Sequence, residues 1–338
     1  MSVKVFITGA GGFLGKELAR QCLARGYEVA GVARSHYPEL EEMGVQMSRA
    51  DVSSPEAYAG LEGCEALFHV AAKAGAWGAH EDYVRSNVSG TERALEAARR
   101  CGVRRFIYTS SPSVAHSGGD LEGVSEAEAP YPDHFSASYP ETKARAERLV
   151  LSANGAELST VALRPHLIWG PGDQHLIPRI LSRADRGRLR HLAPDKLVDS
   201  VYIEDAARAH LNAFDRLEPE ASCAGRAYFI SQGEPWAMKD LMNGILEACG
   251  RPPVEETLSP RVAYTLGSLF ELSYRALGIK SEPPMTRFIA EQLSTAHWYD
   301  ISAARRELGY EPARSISEAL ELLAEACAQG GAEVRAGS

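Results

Sequence analysis

Residues 3–15 read VKVFITGAGGFLG, an apolar run that leads into a turn made largely of glycine. The run predicts a buried strand over 3–8, and the residues after it predict a helix over 14–25. A turn with so few side chains lets a dinucleotide diphosphate approach the backbone N–H groups at the start of the helix. Glycines here can also serve only to pack a helix on a strand, but the surrounding pattern favours a dinucleotide site. We expect its contacts at Gly9, Gly12, Phe13, Leu14 and Gly15.

The alternation of strand and helix continues along the first half of the chain. Apolar runs predict strands at 28–33, 66–71, 105–110 and 159–165, and amphipathic patterns predict helices at 81–101 and 139–153. Strands that alternate with helices form parallel sheets covered on both faces. The predicted fold class is therefore α/β, a doubly wound parallel sheet of the Rossmann type.

After about residue 170 the pattern loosens and helices dominate. A short segment at 196–203, a helix near 204–216 and a strand at 226–231 are the exceptions. We expect a dinucleotide-binding domain over 1–170, to which segments near 196–231 contribute. A smaller, mainly helical substrate-binding region is expected over 171–195 and 232–330.

Composition excludes several classes of protein. The 338 residues carry 36 Lys and Arg against 45 Asp and Glu, a formal net charge of −9, which disfavours nucleic-acid binding. The six cysteines are scattered, without the spacing of a disulfide framework or a metal site. There is no apolar run of 18 residues and no secretory signal. We expect a cytoplasmic protein with no metal centre.

The residues after the second predicted strand bear on the choice of dinucleotide. An acidic residue there would hold the ribose 2′-OH of NAD, whereas arginine accommodates the 2′-phosphate of NADP. The strand ends in Ala33, Arg34 and Ser35, with no acid. Arg34 can be merely a solvated loop residue, but the missing acid argues against NAD. We predict NADP, with Arg34 and Ser35 at its 2′-phosphate.

Residues 138–143 read SYPETK and suggest a catalytic pair. Tyr139 and Lys143 are four residues apart and share one helix face, and Pro140 suits the first helical turn. The spacing alone is weak evidence, because many helices contain it by chance. Without further support, Tyr139 is as well explained as a packed helix tyrosine.

Further stretches, taken with the glycine turn and YPETK, make the chain resemble the extended short-chain dehydrogenase/reductase family. Within that family, residues 72–78, 283–288 and 294–300 resemble the 3β-hydroxysteroid dehydrogenase branch. The likeness covers nearly the whole chain. The stretches that carry it are ADVS (50–53), HVAAKAG (69–75), SNVSGT (86–91), YTSSPSVAH (108–116), LRPHLIWGPGD (163–173) and VDSVYIEDAARAH (198–210).

The resemblance assigns roles to individual residues. It implies that Tyr139 gives a proton to a substrate carbonyl, that Lys143 lowers the tyrosine pKa and holds the nicotinamide ribose, and that Ser111 donates to the substrate oxygen. Ser110 is the alternative serine, because the pair leaves the register open. Further cofactor contacts are implied at Asp51, Val52, Ala71, Ala72, Lys73, Pro165 and Ile168.

The resemblance also implies the kind of reaction. We expect a 3-oxo group to be interconverted with a 3-hydroxy group on a bulky hydrophobic carboxylic acid. The leading candidate for this substrate is a 2-alkyl-3-oxo acid of bacterial olefin biosynthesis. A 4α-carboxysterol or 3β-hydroxysteroid is the alternative. A nucleotide-sugar epimerase or dehydratase and a non-catalytic NADP sensor on the same fold are more distant rivals.

Both leading substrates carry a carboxylate beside the reacting carbon, so a cationic group is expected near the site. Lys73 is the first candidate, although it can equally be a solvated loop residue. The other candidates for substrate contact are Trp77, Asn87, His166, Arg179 and Arg287.

Two further expectations concern partners. The family often dimerises through two helices per subunit, here 81–101 and 139–153, so we expect a homodimer. Residues 259–278 predict a helix with a broad apolar face. It can cap a substrate channel, contact a membrane surface or another enzyme of the pathway, or form the core of the C-terminal region.

Overall fold

The computed structural model describes residues 2–116 and 118–329. Seven parallel strands form the central sheet, in the order β11-β7-β5-β4-β1-β2-β3. This confirms the predicted doubly wound fold. The strands are β1 Lys4–Thr8, β2 Glu28–Ala33, β3 Gln46–Arg49, β4 Ala66–His69, β5 Arg105–Thr109, β7 Ser159–Pro165 and β11 Arg226–Ile230.

Within the described residues, six short strands lie outside the central sheet. β12, β9, β13 and β6 form one sheet, and β10 pairs with β8 in another. Pairing of β6 with β13 ties the first half of the chain to its C-terminal region. These strands are β6 Leu121–Val124, β8 Ile168–Trp169, β9 Leu197–Val198, β10 Val201–Tyr202, β12 Trp236–Ala237 and β13 His297–Tyr299.

Helices cover both faces of the central sheet and make up most of the C-terminal region, as predicted. They are α1 Phe13–Ala24, α2 Pro38–Glu42, α3 His80–Tyr83, α4 Gly90–Arg100, α5 Ser138–Ser152, α6 Leu176–Asp185, α7 Ile203–Arg216, α8 Met238–Ala248, α9 Pro260–Ala276, α10 Arg287–Gln292 and α11 Ile316–Gln329. The predicted helix 81–101 forms over 80–100, with a π-helical turn at Val84–Ser89 between α3 and α4.

The alternation of side chains along the strands builds two separate cores. Ile7 and Phe68 point to the face covered by α1 and α7, whereas Phe6 and Phe106 point to the face covered by α4 and α5. Strands buried on both sides explain the continuous apolar runs in the sequence.

The glycine turn brings β1, β4 and α1 into close contact. Gly9 has a φ of 69°. A Cβ atom on Gly9 would lie 2.8 Å from the Ala71 Cα atom, and one on Gly15 would lie 2.2 Å from the Gly9 carbonyl oxygen. Only hydrogen fits at both positions, so the turn cannot accept larger residues without moving its neighbours.

Helix α9 packs by one side on α10 through Ala263 and Ala290. Its other side and the residues after it leave large apolar side chains exposed, among them Leu269, Leu272 and Leu277. None of the helices in the described ranges has the length and hydropathy to cross a bilayer. Contact of α9 with a membrane surface or a partner enzyme stays a prediction, as does dimerisation through α4 and α5.

The close approach at Gly9 gives a test of the turn. Gly26 has a similar φ of 76°, but nothing lies within 4 Å of its Cβ position. Gly26→Ala should therefore cost only the left-handed backbone penalty, about 1 kcal/mol. Gly9→Ala should lose about 1–3 kcal/mol more of the free energy of unfolding, because its methyl group meets the Ala71 backbone. Urea denaturation of the two variants checks this, and equal losses would contradict it.

Candidate active site

A cavity of about 670 Å³ opens where the central strands end. Its walls come from the loops after β1, β2, β4, β5 and β7, from α5, and from α10 and β13 of the C-terminal region. Ligands of doubly wound sheets bind at this edge. Most of the predicted site residues line it: Gly9, Gly12, Phe13, Leu14, Gly15, Arg34, Ser35, Asp51, Val52, Ala71, Ala72, Lys73, Ser110, Ser111, Tyr139, Lys143, Pro165, His166 and Ile168.

The start of α1 forms the anion-binding part of the cavity. Gly12 precedes the helix and provides no side-chain cap, so the first-turn N–H groups face the cavity with the positive end of the helix dipole. A Cβ atom on Gly12 would sit 3.2 Å from the Gly9 carbonyl oxygen, which is closer than side chains usually approach. The shape and the donors fit the diphosphate of a dinucleotide.

Tyr37 also belongs to this end of the cavity, and sequence reasoning missed it. Its ring lies over the glycine turn, where a Cβ atom on Gly11 would come within 2.0 Å of the Tyr37 Cε2 atom. The Lys16 Nζ atom stands 4.9 Å from the ring centroid. No spacing rule in the sequence marks this residue.

Arg34 and Asp51 mark the far end of the same region. The Asp51 carboxylate accepts hydrogen bonds from the Ser53 backbone N–H at 2.9 Å and from the Ser53 hydroxyl at 2.7 Å. These two bonds, helped by the Arg34 guanidinium, lower the Asp51 pKa. Arg34 and Ser35 are exposed at the end of β2, where a nucleotide phosphate can reach them.

Tyr139 stands in the first turn of α5, beside Ser111 at the end of β5. Burial raises the Tyr139 pKa, and the Ser111 hydroxyl lowers it by a smaller amount. Lys143 is not among the causes of this shift, so its lowering of the Tyr139 pKa stays a prediction. The Ser110 hydroxyl is buried without a partner, so Ser111 is the serine that faces Tyr139.

Lys143 lies one turn further along α5, fully inside the protein. Its Nζ atom donates to the Thr109 carbonyl oxygen at 2.5 Å and lies 4.2 Å from the Tyr108 ring centroid. Burial lowers the Lys143 pKa to about 7, and the Glu147 carboxylate partly opposes this effect. Glu147 is itself held by Arg164, with 2.6 Å between Oε1 and Nη2.

Asn87 acts on the backbone of the cavity wall rather than on its contents. Its carboxamide accepts from the Lys73 N–H at 2.7 Å and donates to the Lys73 carbonyl at 3.1 Å and the Thr142 hydroxyl at 3.0 Å. It is not among the cavity-lining residues. The predicted substrate contact at Asn87 is therefore replaced by a role in fixing the loop after β4 to α5.

A hydrogen-bonded chain extends from Asn87 to the glycine turn. The Thr91 hydroxyl donates to the Asn87 carbonyl at 2.6 Å and lies 3.0 Å from His69 Nε2. His69 Nδ1 is 2.9 Å from the Thr8 hydroxyl oxygen, which accepts the Ala71 N–H at 3.2 Å. Burial lowers the His69 pKa to about 3, so this bridge is neutral.

The remaining predicted substrate residues fall in different places. Lys73 lines the cavity, with its Nζ atom 3.8 Å from Asp82 Oδ2. Trp77 instead packs against Tyr274, Arg179 pairs with Glu282 at 2.7 Å, and Arg287 pairs with Glu271 at 2.9 Å. These three are not cavity-lining residues. Their neighbours come from distant parts of the chain, which spacing in the sequence does not reveal.

The cavity wall also contains residues that sequence reasoning did not select. They come from the turn after Ser111, from two of the three stretches that resemble the 3β-hydroxysteroid dehydrogenase branch (283–288 and 294–300), and from the residues between those two. Those stretches are visible in the sequence, but their place in the wall is not. The residues are His116, Phe288, Gln292 and Tyr299.

Comparison with known proteins agrees with this geometry. Residues 6–260 match the model of the 3-beta hydroxysteroid dehydrogenase/isomerase family. The chain is 49% identical over 324 residues to a 2-alkyl-3-oxoalkanoate reductase of Stenotrophomonas maltophilia, covering 95% of this chain and 98% of that one. It is 30% identical over 325 residues to a mouse sterol-4-alpha-carboxylate 3-dehydrogenase, covering 94% and 89%.

A solved structure extends the comparison to the cofactor. MoeE5 in complex with UDP-glucuronic acid and NAD is 26% identical and superposes with a TM-score of 0.73, covering 96% of this chain and 99% of that one. The cavity therefore belongs to a nicotinamide-dependent oxidoreductase.

Burial of Lys143 predicts how stability depends on pH. Between about pH 7 and the ordinary lysine value of 10.5, the unfolded chain binds a proton that the folded chain lacks. The free energy of unfolding should therefore rise with pH in this window, by up to about 1.4 kcal/mol per unit. Lys143→Met should remove this slope, which urea titrations of wild type and variant at pH 7.5 and 9.5 measure. Lys280→Met, on the surface, controls for loss of a lysine, and parallel slopes for wild type and Lys143→Met would refute the assignment.

Proposed function

The chain belongs to the 3-beta hydroxysteroid dehydrogenase/isomerase family, and on that premise we propose that it is an NADP-dependent 2-alkyl-3-oxoalkanoate reductase. The observation that carries the proposal is the 49% identity to the Stenotrophomonas reductase over almost the full length of both chains. The grouping of Tyr139, Lys143 and Ser111 in the same cavity as the glycine turn supports it.

The residues of the site suit the reduction of a carbonyl group. NADPH, when bound, supplies the hydride. Tyr139 has a raised pKa, so it is a phenol near neutrality and can give its proton to the substrate oxygen. Ser111 donates a hydrogen bond to the same oxygen as negative charge develops there. Lys143, in its protonated form, stabilises the phenolate that Tyr139 becomes.

The preference for NADP is supported by the end of β2. Arg34 and Ser35 line the cavity where the adenosine ribose of a dinucleotide ends, and no acid stands in this position to bind a 2′-OH group. An arginine pairs well with a phosphate through its planar donors. The NAD bound to MoeE5 supports the nicotinamide dinucleotide but not this finer choice.

The sterol acid is the second candidate substrate, because the 30% identity to the mouse sterol-4-alpha-carboxylate 3-dehydrogenase also spans nearly the whole chain. The two candidates differ in the shape of the apolar part and share a carboxylate beside the reacting carbinol. An assay of both acids therefore separates them.

The function is tested in the oxidative direction, since β-keto acids decarboxylate and would confuse the reverse assay. Purified protein is given a 2-alkyl-3-hydroxyalkanoic acid or a 4α-carboxy-3β-hydroxysterol, with NADP, and NADPH formation is followed. We expect turnover of the alkyl acid, reduced about 10²–10⁴-fold in Tyr139→Phe through loss of the proton-transfer group. Tyr264→Phe, on the exposed side of α9, should keep wild-type activity. Turnover of the sterol alone would move the assignment to the second candidate.

Replacement of Arg34 tests the proposed preference for NADP over NAD. Loss of a charge-assisted contact costs about 1.5–3 kcal/mol, or roughly 10–150-fold in affinity. Arg34→Ala should weaken NADPH binding by this factor and leave NADH binding within about twofold, as followed by cofactor fluorescence. Arg93→Ala, exposed on α4, is the matched loss of an arginine. An equal effect of Arg34→Ala on both cofactors would count against a 2′-phosphate contact.

A further inference from the structure

We propose that His116, His166 and Gln292 form a subsite that binds the carboxylate of the substrate. This inference rests on the proposed function and specifies how the acid group is recognised. It moves the carboxylate away from Lys73, the cation that the sequence favoured.

The three side chains meet in one wall of the cavity although they come from separate parts of the chain. His116 ends the 3₁₀ turn Pro112–Ala115, which follows directly from Ser111. His166 follows the last residue of β7, and Gln292 is the last residue of α10. All three line the same cavity as Tyr139. A substrate whose oxygen binds at Tyr139 and Ser111 therefore lies in the same cavity as His116, His166 and Gln292.

Hydrogen-bonding atoms in this wall have no partner within the described protein. Both ring nitrogens of His116, the Nδ1 atom of His166 and the Nε2 atom of Gln292 are buried and unpaired. Each histidine is only 7% exposed. A buried polar atom without a partner costs about 1–3 kcal/mol, so proteins seldom keep several together unless a ligand pairs with them.

The rings are held in place by packing rather than by the missing contacts. The His297 ring centroid lies 4.8 Å from that of His166 and 6.2 Å from that of His116, nearly perpendicular to both. The His297 Nε2 atom is 2.7 Å from the Gln292 carbonyl oxygen, which fixes the end of α10 to the same cluster. Tyr299 packs on the other side of His166, with 5.5 Å between ring centroids. The packing brings the three side chains together, but their unpaired atoms are covered in the free protein, so a carboxylate pairs with them only after the side chains turn toward the cavity.

The unpaired donors of the subsite suit a ligand group with acceptor oxygens. Burial lowers the pKa of His116 to about 4 and that of His166 well below its ordinary value, so the rings are neutral in the free protein. His116 and Gln292 donate as neutral groups. The His166 ring also meets the Asp199 backbone, and its unpaired Nδ1 atom is the third polar group of the subsite. His297, Tyr299, Asp120 and Asp199 are titratable groups packed around the cluster.

The lysine and arginine side chains that the sequence suggested for the carboxylate are already engaged. Arg179 and Arg287 pair with Glu282 and Glu271 outside the cavity. Lys73 stands near Asp82, and its Nζ atom lies 5.2 Å from the Tyr83 ring centroid. No group of three His, Cys, Asp or Glu side chains in the described ranges is arranged to hold a metal ion, so the histidines are not ligands of that kind.

The test compares a 2-alkyl-3-hydroxyalkanoic acid with its methyl ester, with NADP and the full-length protein. Gln292→Glu has nearly the same shape but places a negative charge at the subsite, and His116→Leu removes two unpaired nitrogens. Each should raise KM for the acid at least tenfold and change KM for the ester less than twofold, with kcat for the ester retained. Gln46→Glu adds the same charge on exposed β3 and should leave both KM values unchanged.

The outcomes separate this subsite from the proposed function. If wild type turns over both compounds and neither variant raises KM for the acid selectively, the carboxylate subsite is overturned and the reductase stands. A selective rise in Lys73→Ala alone would place the carboxylate at Lys73 and also overturn the subsite. Absence of turnover of either compound by wild type would overturn both proposals.

Discussion

The close contact between the Gly9 turn and the backbone at Ala71 sets the geometry of the whole cavity. With 2.8 Å between the Gly9 Cβ position and the Ala71 Cα atom, β1, β4 and α1 converge as tightly as backbones allow. This convergence points the first turn of α1 at the loop after β4. The hydrogen-bonded chain from Thr8 through His69 and Thr91 to Asn87 continues the constraint to α5. The diphosphate cradle and the catalytic helix are thus held by one connected interior.

Desolvation, more than pairing of charges, determines the protonation of the site. Burial keeps Tyr139 protonated, lowers the pKa of Lys143 to about 7, and keeps His116 and His166 neutral. A site with so little free charge responds strongly to the charges that a cofactor and an acid substrate bring with them, because the interior screens them poorly. Ligand binding and proton movement are therefore coupled in this cavity.

The sequence best predicted those features of the fold and site that depend on residues close together in the chain. The strand at 28–33 has the predicted limits, and the glycine turn and the Tyr139–Lys143 spacing follow from local chemistry. The short edge strand β3 was missed, because its QMSR sequence lacks an apolar run. Trp77, Arg179 and Asn87 were misjudged as substrate contacts because their partners lie elsewhere in the chain. His116 and Gln292 were missed because their unpaired atoms become visible only after folding.

The π-helical turn at Val84–Ser89 lets one helical segment contact the loop after β4 before the turn and the central sheet after it. Such a turn accommodates one residue more than an α-helical turn, and a single residue corresponds to about 100° of helical rotation. The segment on either side is therefore out of phase. Before the turn, Tyr83 is directed to the loop after β4, where its hydroxyl donates to the Gly75 carbonyl at 3.0 Å. After it, Ala94 and Ala98 are directed to the sheet. A deletion of one residue in this turn would restore a regular helix and misalign one of these two faces.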